Sequence, residues 1–141
     1  MFLYGAQSMG QALSRSESRE VAFRLIFALG QKTELDGAAW ELALDGKTAP
    51  EPEKKYITQI IEKFQVEQTS IDEKIALHLQ KWTLDRLRQT DLAILRLSLA
   101  EMSLGTTPAL VVIKEAVNLA KKYGEAQSGA FVNGILAQLA E

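Results

Sequence analysis

The chain has 141 residues, of which 47% are hydrophobic, and its 16 basic and 18 acidic side chains leave a formal net charge of −2. This apolar fraction is too high for a disordered chain, and the length fits one domain. The absence of cysteine excludes disulfides, thiolate metal sites and cysteine nucleophiles, and it fits a cytoplasmic protein. Because no run of 18 apolar residues occurs, we expect no membrane-spanning segment. Nucleic-acid-binding proteins usually carry a basic excess, so any RNA contact must be a local patch or be shared with a partner.

The first thirteen residues (MFLYGAQSMGQAL) contain no charged side chain. A secretory signal requires a basic start and a continuous apolar core, and this segment has neither. We therefore interpret residues 1–13 as a flexible N-terminal extension and residues 14–141 as the folded domain.

Two helices are predicted at the start of this domain. Ser14 is followed three residues later by Glu17, which is the pattern of a capping box, and the apolar stripe behind it predicts a first helix that ends near Gly30. A short second helix is predicted over residues 35–44, with Asp36 as its N-cap.

The middle of the chain predicts a loop, two helices, a short helical turn and one buried helix. The loop is residues 45–52, which hold two of the three prolines. A third helix is predicted over residues 53–67, and a fourth begins at Thr69. Residues 82–87 are expected to form the short turn. Thr90 is expected to cap a helix over residues 91–104 that is apolar almost all round and therefore lies inside its domain.

The last two predicted helices meet at a sharp corner. A helix through Ile113 is expected to close at Gly124 in a left-handed conformation. Ser128 is then expected to cap the final helix, whose predicted buried face is Phe131, Val132, Ile135, Leu136 and Leu139. Gly134 inside this helix costs about 1 kcal/mol relative to alanine, so we expect another helix backbone to pack closely against it.

Aromatic and basic side chains are concentrated at this corner. Tyr123 and Phe131 flank it, with Lys121 and Lys122 beside them. This pattern is typical of a core edge with a solvated rim. It is also typical of a surface where a nucleobase stacks while lysines contact phosphates, and the pattern alone does not separate the two interpretations.

Catalytic motifs are absent from the sequence. It contains no GxSxG, Walker or GxGxxG motif, and no pairing of a nucleophile with a base. His78 is the only histidine, so neither a metal site nor a cofactor is expected. The residues therefore indicate an all-α binding module that is not an enzyme.

Several separated motifs, in order and spacing, resemble the NusB family of transcription antitermination factors over residues 14–141. They are residues 19–22 (REVA), 71–72 (ID), 82–87 (WTLDRL), 91–97 (DLAILRL), 101–102 (EM), Pro108, 112–117 (VIKEAV), 119–121 (LAK) and 131–136 (FVNGIL). The resemblance implies an all-α fold of about seven helices arranged as two packed helical bundles. It also implies binding to boxA-type RNA together with NusE, a small-subunit ribosomal protein, and entry into the RNA polymerase antitermination complex that supports rRNA transcription. Some relatives are homodimers.

The resemblance assigns RNA contacts to two parts of the chain. The arginine-rich N-terminal stretch of relatives is reduced here to Arg15 and Arg19. At the corner, Phe131 matches an aromatic residue beside RNA, and Gln127 replaces an acid of many relatives, which removes repulsion of phosphate. Lys121 is expected at the same corner and is assigned to RNA with them. The same arginines also suit an ordinary solvated helix start.

Two further residues are assigned to the protein partner. Asp91 matches an acidic position that faces NusE, although a carboxylate in a helix first turn is favourable by itself. Phe27 matches an aromatic residue near the same surface. Because the arginine stretch is depleted, a protein–protein scaffold with weakened or lost RNA binding is the alternative function.

Overall fold

A computed structural model of the chain describes residues 11–80 and 83–140. In these ranges the regular elements are six α-helices and one 3₁₀ turn, and the only strand-like feature is a single β-bridge, so the all-helical prediction is confirmed. No described helix is long and apolar enough to cross a membrane. The elements are α1 (Arg15–Gly30), α2 (Gly37–Leu44), α3 (Glu51–Leu77), the 3₁₀ turn (Leu84–Arg86), α4 (Gln89–Leu104), α5 (Ala109–Tyr123) and α6 (Ser128–Leu139).

The chain forms two compact units, Met1–Gln59 and Ile60–Glu141, and α3 continues through their boundary. In the first unit α1 packs against α2, and in the second unit α4, α5 and α6 pack against one another. Ten of the 16 residues of α4 are buried, which confirms the prediction that this helix lies inside its domain. Its apolar residues on all sides require partners on all sides.

The predicted caps of the first two helices are confirmed. The Ser14 hydroxyl accepts a hydrogen bond from the Glu17 amide at 3.1 Å, and the Glu17 carboxylate accepts one from the Ser14 amide at 2.9 Å. Asp36 accepts a bond from the Ala39 amide at 3.0 Å. These bonds satisfy amides that have no partner within a helix, and α1 ends at Gly30 as predicted.

The predicted third and fourth helices are one helix with a kink at Glu67, where φ is −106° and ψ is 16°. Thr69 lies inside this helix, so its prediction as a helix start is wrong. Asp72 instead forms two bonds of 2.9 Å with the guanidinium of Arg96 on α4. Sequence spacing did not reveal this ion pair because its residues are 24 positions apart.

Two other predicted boundaries differ in detail. Thr90 is the second residue of α4, and the preceding cap residue, Arg88, makes no side-chain capping bond, so Thr90 is not the cap. The turn predicted over residues 82–87 is present as the 3₁₀ turn, and Trp82 lies outside the described residues.

Residues 11–13 belong to the folded part of the first unit. The Leu13 amide donates to the Thr48 carbonyl at 2.9 Å, the Thr48 amide donates to the Gln11 carbonyl at 3.0 Å, and the Leu13 side chain is buried. The expected flexible extension therefore does not include residues 11–13, and the rest of it lies outside the described residues.

The corner between α5 and α6 differs from the prediction at two residues. Gly124 is extended, with φ −97° and ψ −163°, and is not left-handed. Ser128 is the first residue of α6, and its buried hydroxyl accepts from the Glu125 amide at 2.9 Å instead of capping the helix. A Cβ on Gly124 would lie 2.6 Å from the Ser128 Cβ and 2.8 Å from the Ala120 carbonyl oxygen. Glycine is therefore required here for space and not for a positive φ.

The close packing predicted at Gly134 is wrong. A Cβ added there meets no atom of the described residues within 4 Å, and the residue is exposed. Val132, Ile135 and Leu136 are buried as predicted, whereas Phe131 and Leu139 are only half-buried. The glycine therefore weakens α6 without any packing gain in this chain.

We expect Gly134→Ala to raise the free energy of unfolding by about 0.5–1 kcal/mol, because alanine restricts the unfolded chain and suits a helix interior. Urea unfolding followed by circular dichroism measures this change. A loss of stability would mean that another backbone does approach Gly134.

We expect Gly124→Ala to lower the free energy of unfolding by about 1–3 kcal/mol, because its Cβ cannot fit without movement of the Ala120 or Ser128 backbone. The matched control is Gly129→Ala, whose Cβ would make an ordinary 3.6 Å contact with Val117. Equal stability of the two variants in the same urea titration would contradict the steric argument.

Candidate nucleic-acid interface

The second unit brings four of the seven predicted site residues to the corner between α5 and α6. Three open cavities, of about 560, 270 and 320 Å³, lie at the start of α6 or along it. Lys121 lines the first cavity and Phe131 lines the second and third. Asp91 and Gln127 line the second. Residues assigned to RNA and a residue assigned to the protein partner therefore lie around one short loop.

The largest cavity has a small-residue wall and a polar rim. Lys121 and Asn133 supply the rim, and Glu125 adds a carboxylate. The wall contains Gly124, Ala126, Gly129 and Ala130. Side chains this small let an extended ligand backbone approach the helix ends, and Lys121 supplies a cation for it.

The second cavity contains two arginines that the sequence interpretation did not select. Its lining residues come from the 3₁₀ turn, the start of α4 and the loop before α6. They are Arg86, Leu87, Arg88, Asp91, Glu125, Gln127, Ser128 and Phe131. About forty positions separate the arginines from Phe131, and no local periodicity indicates such a contact. The only sequence signal was that Arg86 lies within the WTLDRL motif and Arg88 directly follows it.

Asp91 is held inside this corner. Only 6% of the residue is exposed, its Oδ1 has no hydrogen-bond partner among the described residues, and the Ser128 hydroxyl bonds to its carboxylate. Burial raises the pKa of Asp91, and the Ser128 bond and the charge of Arg88 oppose this rise. In this conformation a partner can reach little of Asp91, and the observed role of its carboxylate is to connect the start of α4 to the start of α6.

Phe131 is half-buried and forms part of the walls of two cavities. One side of the residue belongs to the packed start of α6, and the rest is accessible from the cavities. This placement is compatible with Phe131 as a core residue and as a surface for base stacking, because one part of a ring can pack against the core while another part stays exposed.

The two N-terminal arginines of the first unit contact protein groups. Arg15 forms two bonds of 2.8 and 3.0 Å with the carboxylate of Glu53, and its guanidinium lies 4.0 Å from the ring centroid of Tyr56. Arg19 is only 4% exposed and lies 5.6 Å from the same centroid. Both guanidinium groups are thus engaged within the first unit.

Phe27 is half-buried on α1. Its ring centroid lies 6.4 Å from that of Phe23 at an interplanar angle of 44°, so one part of the ring is fixed by an aromatic contact. The remaining surface is open to a partner.

No group of three or more metal-ligating side chains occurs in residues 11–80 and 83–140.

The bond from Arg15 lowers the pKa of Glu53 below its ordinary value of 4.5. The stabilisation is therefore complete above that value and is lost as the pH falls through the lower pKa of the folded state. We expect Glu53→Gln to lower the free energy of unfolding by about 1 kcal/mol at neutral pH and by progressively less below about pH 4. Thermal unfolding across this pH range measures the effect, with Glu41→Gln at an exposed position of α2 as the control. A difference that did not change with pH would contradict this account.

Comparison with known proteins relates this arrangement to a single family. The NusB family profile matches residues 16–141. The chain is 34% identical to the transcription antitermination protein NusB of Macrococcus caseolyticus (strain JCSC5402), over 90% of this chain and 96% of that protein. Its structure is similar to T. maritima NusB, with a TM-score of 0.81, 33% identity and 92% of each chain covered. It is also similar to a chain in a crystal structure of the antitermination factors NusB and NusE in complex with dsRNA, with a TM-score of 0.79, 26% identity and coverage of 89% and 95%. The chain belongs to the NusB family.

Proposed function

We propose that this chain is a transcription antitermination factor that binds boxA-type RNA together with NusE. In this role it joins the RNA polymerase antitermination complex and supports rRNA transcription. The observation that carries the proposal is its similarity, over 89% of its length, to a chain in the solved complex of NusB and NusE with dsRNA. The match of residues 16–141 to the family supports it.

The corner between α5 and α6 supplies the chemistry for RNA. Phe131 offers a stacking surface, the Gln127 amide can donate to and accept from a base edge, and Lys121 can neutralise a phosphate. Base stacking tolerates sequence variation, so we assign sequence preference to polar contacts such as that of Gln127. NusE is proposed to contact Phe27 and the small part of Asp91 that is exposed.

The proposed action is binding alone, without a catalytic step. The chain is an adaptor that holds an RNA segment next to a protein partner, in the cytoplasm, where transcription takes place. Its selectivity then depends on the free energies of two binding events and on their coupling.

A protein–protein scaffold with lost RNA binding is the second candidate, with self-association into a homodimer as one form of it. The contacts of Arg15 with Glu53 and Tyr56 favour this candidate, because they occupy a cation that would otherwise be available to phosphate. The burial of Arg19 acts in the same direction. The two candidates differ in whether the chain has any affinity for RNA.

We expect Phe131→Leu to weaken boxA RNA binding in the presence of NusE, because leucine keeps the apolar contact but lacks the stacking plane. Stacking contributes about 1–3 kcal/mol per base. The matched control is Phe27→Leu, which should retain RNA affinity in the absence of NusE and weaken NusE binding. Fluorescence anisotropy with labelled RNA and titration calorimetry with NusE measure the two affinities.

A scrambled RNA of the same length separates sequence-dependent from general binding. If wild type does not distinguish boxA from the scrambled RNA even with NusE, the RNA-binding proposal is refuted. Retention of NusE binding in that case would support the scaffold.

A further inference from the structure

The two N-terminal arginines that the family resemblance assigns to RNA are engaged by protein groups. The net charge of the chain is −2, and these arginines are engaged with Glu53 and Tyr56 inside the first unit. RNA affinity depends strongly on cations that neutralise phosphates. If the proposed function is correct, other cations must contribute.

Arg86 is one such cation. It is the last residue of the 3₁₀ turn and lines the 270 Å³ cavity beside Phe131. The residue is exposed, and its guanidinium forms no ion pair with any residue of the described ranges. Its charge interacts with the neighbouring Asp85 carboxylate without an ion pair, so its donors remain available for a phosphate.

Arg88 is the second cation at this cavity. Its guanidinium lies 3.2 Å from the Glu125 carboxylate, and the two side chains are 50% and 56% exposed. Ion pairs this exposed contribute about 0–1 kcal/mol, so a phosphate can replace the carboxylate at little cost. The charge of Arg88 is thus partly neutralised by Glu125 when no RNA is bound, and its guanidinium can pair with a phosphate when RNA binds.

The cavity combines these cations with groups suited to a base. Phe131 provides an aromatic wall, and Gln127 provides an amide with both donors and an acceptor. Its volume of about 270 Å³ is just below the range of typical small-molecule sites, which suits a single nucleotide and not a folded RNA element. The carboxylate of Asp91 is turned toward Ser128 and little exposed, which limits its repulsion of phosphate.

We propose that this cavity binds one nucleotide of single-stranded RNA, with Arg86 and Arg88 on its phosphate and Phe131 on its base. The inference rests on the proposed function and extends it, because it assigns the main phosphate contacts to the 3₁₀ turn and the start of α4. Guanidinium groups bind phosphate through paired donors, so arginine is better suited to this role than lysine.

The test is a double variant, Arg86→Ala with Arg88→Ala, titrated with boxA RNA and NusE at several salt concentrations. A charge-assisted hydrogen bond contributes enough that we expect about a tenfold loss of affinity for each arginine. The slope of log affinity against log salt should decrease in magnitude by about 0.7, because the two arginines neutralise one phosphate and each neutralised phosphate of a single strand contributes about 0.7.

The matched control is Lys54→Ala with Lys55→Ala, which removes two exposed cations from α3 and changes the net charge equally. It should retain the wild-type affinity and slope. An equal loss in both double variants would show a general charge effect and overturn the assignment, as would wild-type affinity in the arginine variant.

A second variant changes binding in the opposite direction and does not depend on the folding of the arginine variant. Glu125→Gln removes a carboxylate from the cavity and releases Arg88, so RNA should bind more tightly, by about two- to fivefold. Unchanged or weaker binding would oppose the assignment.

The outcomes separate this inference from the proposed function. If wild type binds no RNA with NusE present, the proposed function itself fails. If wild type binds RNA and the arginine variant binds it equally well, only the cavity assignment fails. If the arginine variant loses NusE affinity and keeps RNA affinity measured without NusE, the cavity is a protein contact and the nucleotide assignment is overturned.

Discussion

The close approach between Gly124 and Ser128 is the constraint on which the functional corner depends. The chain can leave α5 and start α6 after four residues only because Gly124 has no Cβ to collide with Ser128. This approach buries the Ser128 hydroxyl, which then bonds to the Glu125 amide and to the Asp91 carboxylate. The start of α6 is thereby attached to the start of α4. The positions of Gln127 and Phe131 follow from this attachment.

The arginines of this chain differ in their surroundings, because some are engaged in packing and others are exposed. In the first unit, Arg15 and Arg19 surround Tyr56, where stacking and the bond to Glu53 stabilise the packing of α1 on α3. In the second unit, Arg86 at the 3₁₀ turn and Arg88 at the start of α4 are exposed, and Arg88 forms an exposed ion pair with Glu125. A guanidinium group suits both roles because it combines a planar face with five donors. Position within a sequence motif therefore does not reveal which role an arginine has.

The carboxylate of Asp91 connects the start of α4 with α6 and with the charged residues of the 270 Å³ cavity. Its buried carboxylate bonds to Ser128 on α6 and interacts with the charges of Arg88 and Glu125, which both line the same cavity. A ligand that changes the ion pair of Arg88 with Glu125 therefore changes the surroundings of Asp91. The protonation of Asp91 and the ion pair of Arg88 with Glu125 are therefore coupled through their charges.

The sequence by itself determined the helical class, most helix positions and the caps at Ser14 and Asp36, because periodicity and capping are interactions between near neighbours. It also indicated the corner and placed Lys121, Gln127 and Phe131 on it. Only the tertiary structure decided which residues distant in the sequence contact each other, because contacts across many positions leave no periodic signal. The pairing of Asp72 with Arg96, the engagement of Arg15 by Glu53, and the presence of Arg86 and Arg88 beside Phe131 are all of this kind. The same reason explains why the predictions for the two glycines were wrong. The sequence pattern shows that Gly124 ends a helix and that Gly134 lies inside one. Only the neighbouring atoms show that a Cβ would collide at Gly124 and would fit at Gly134.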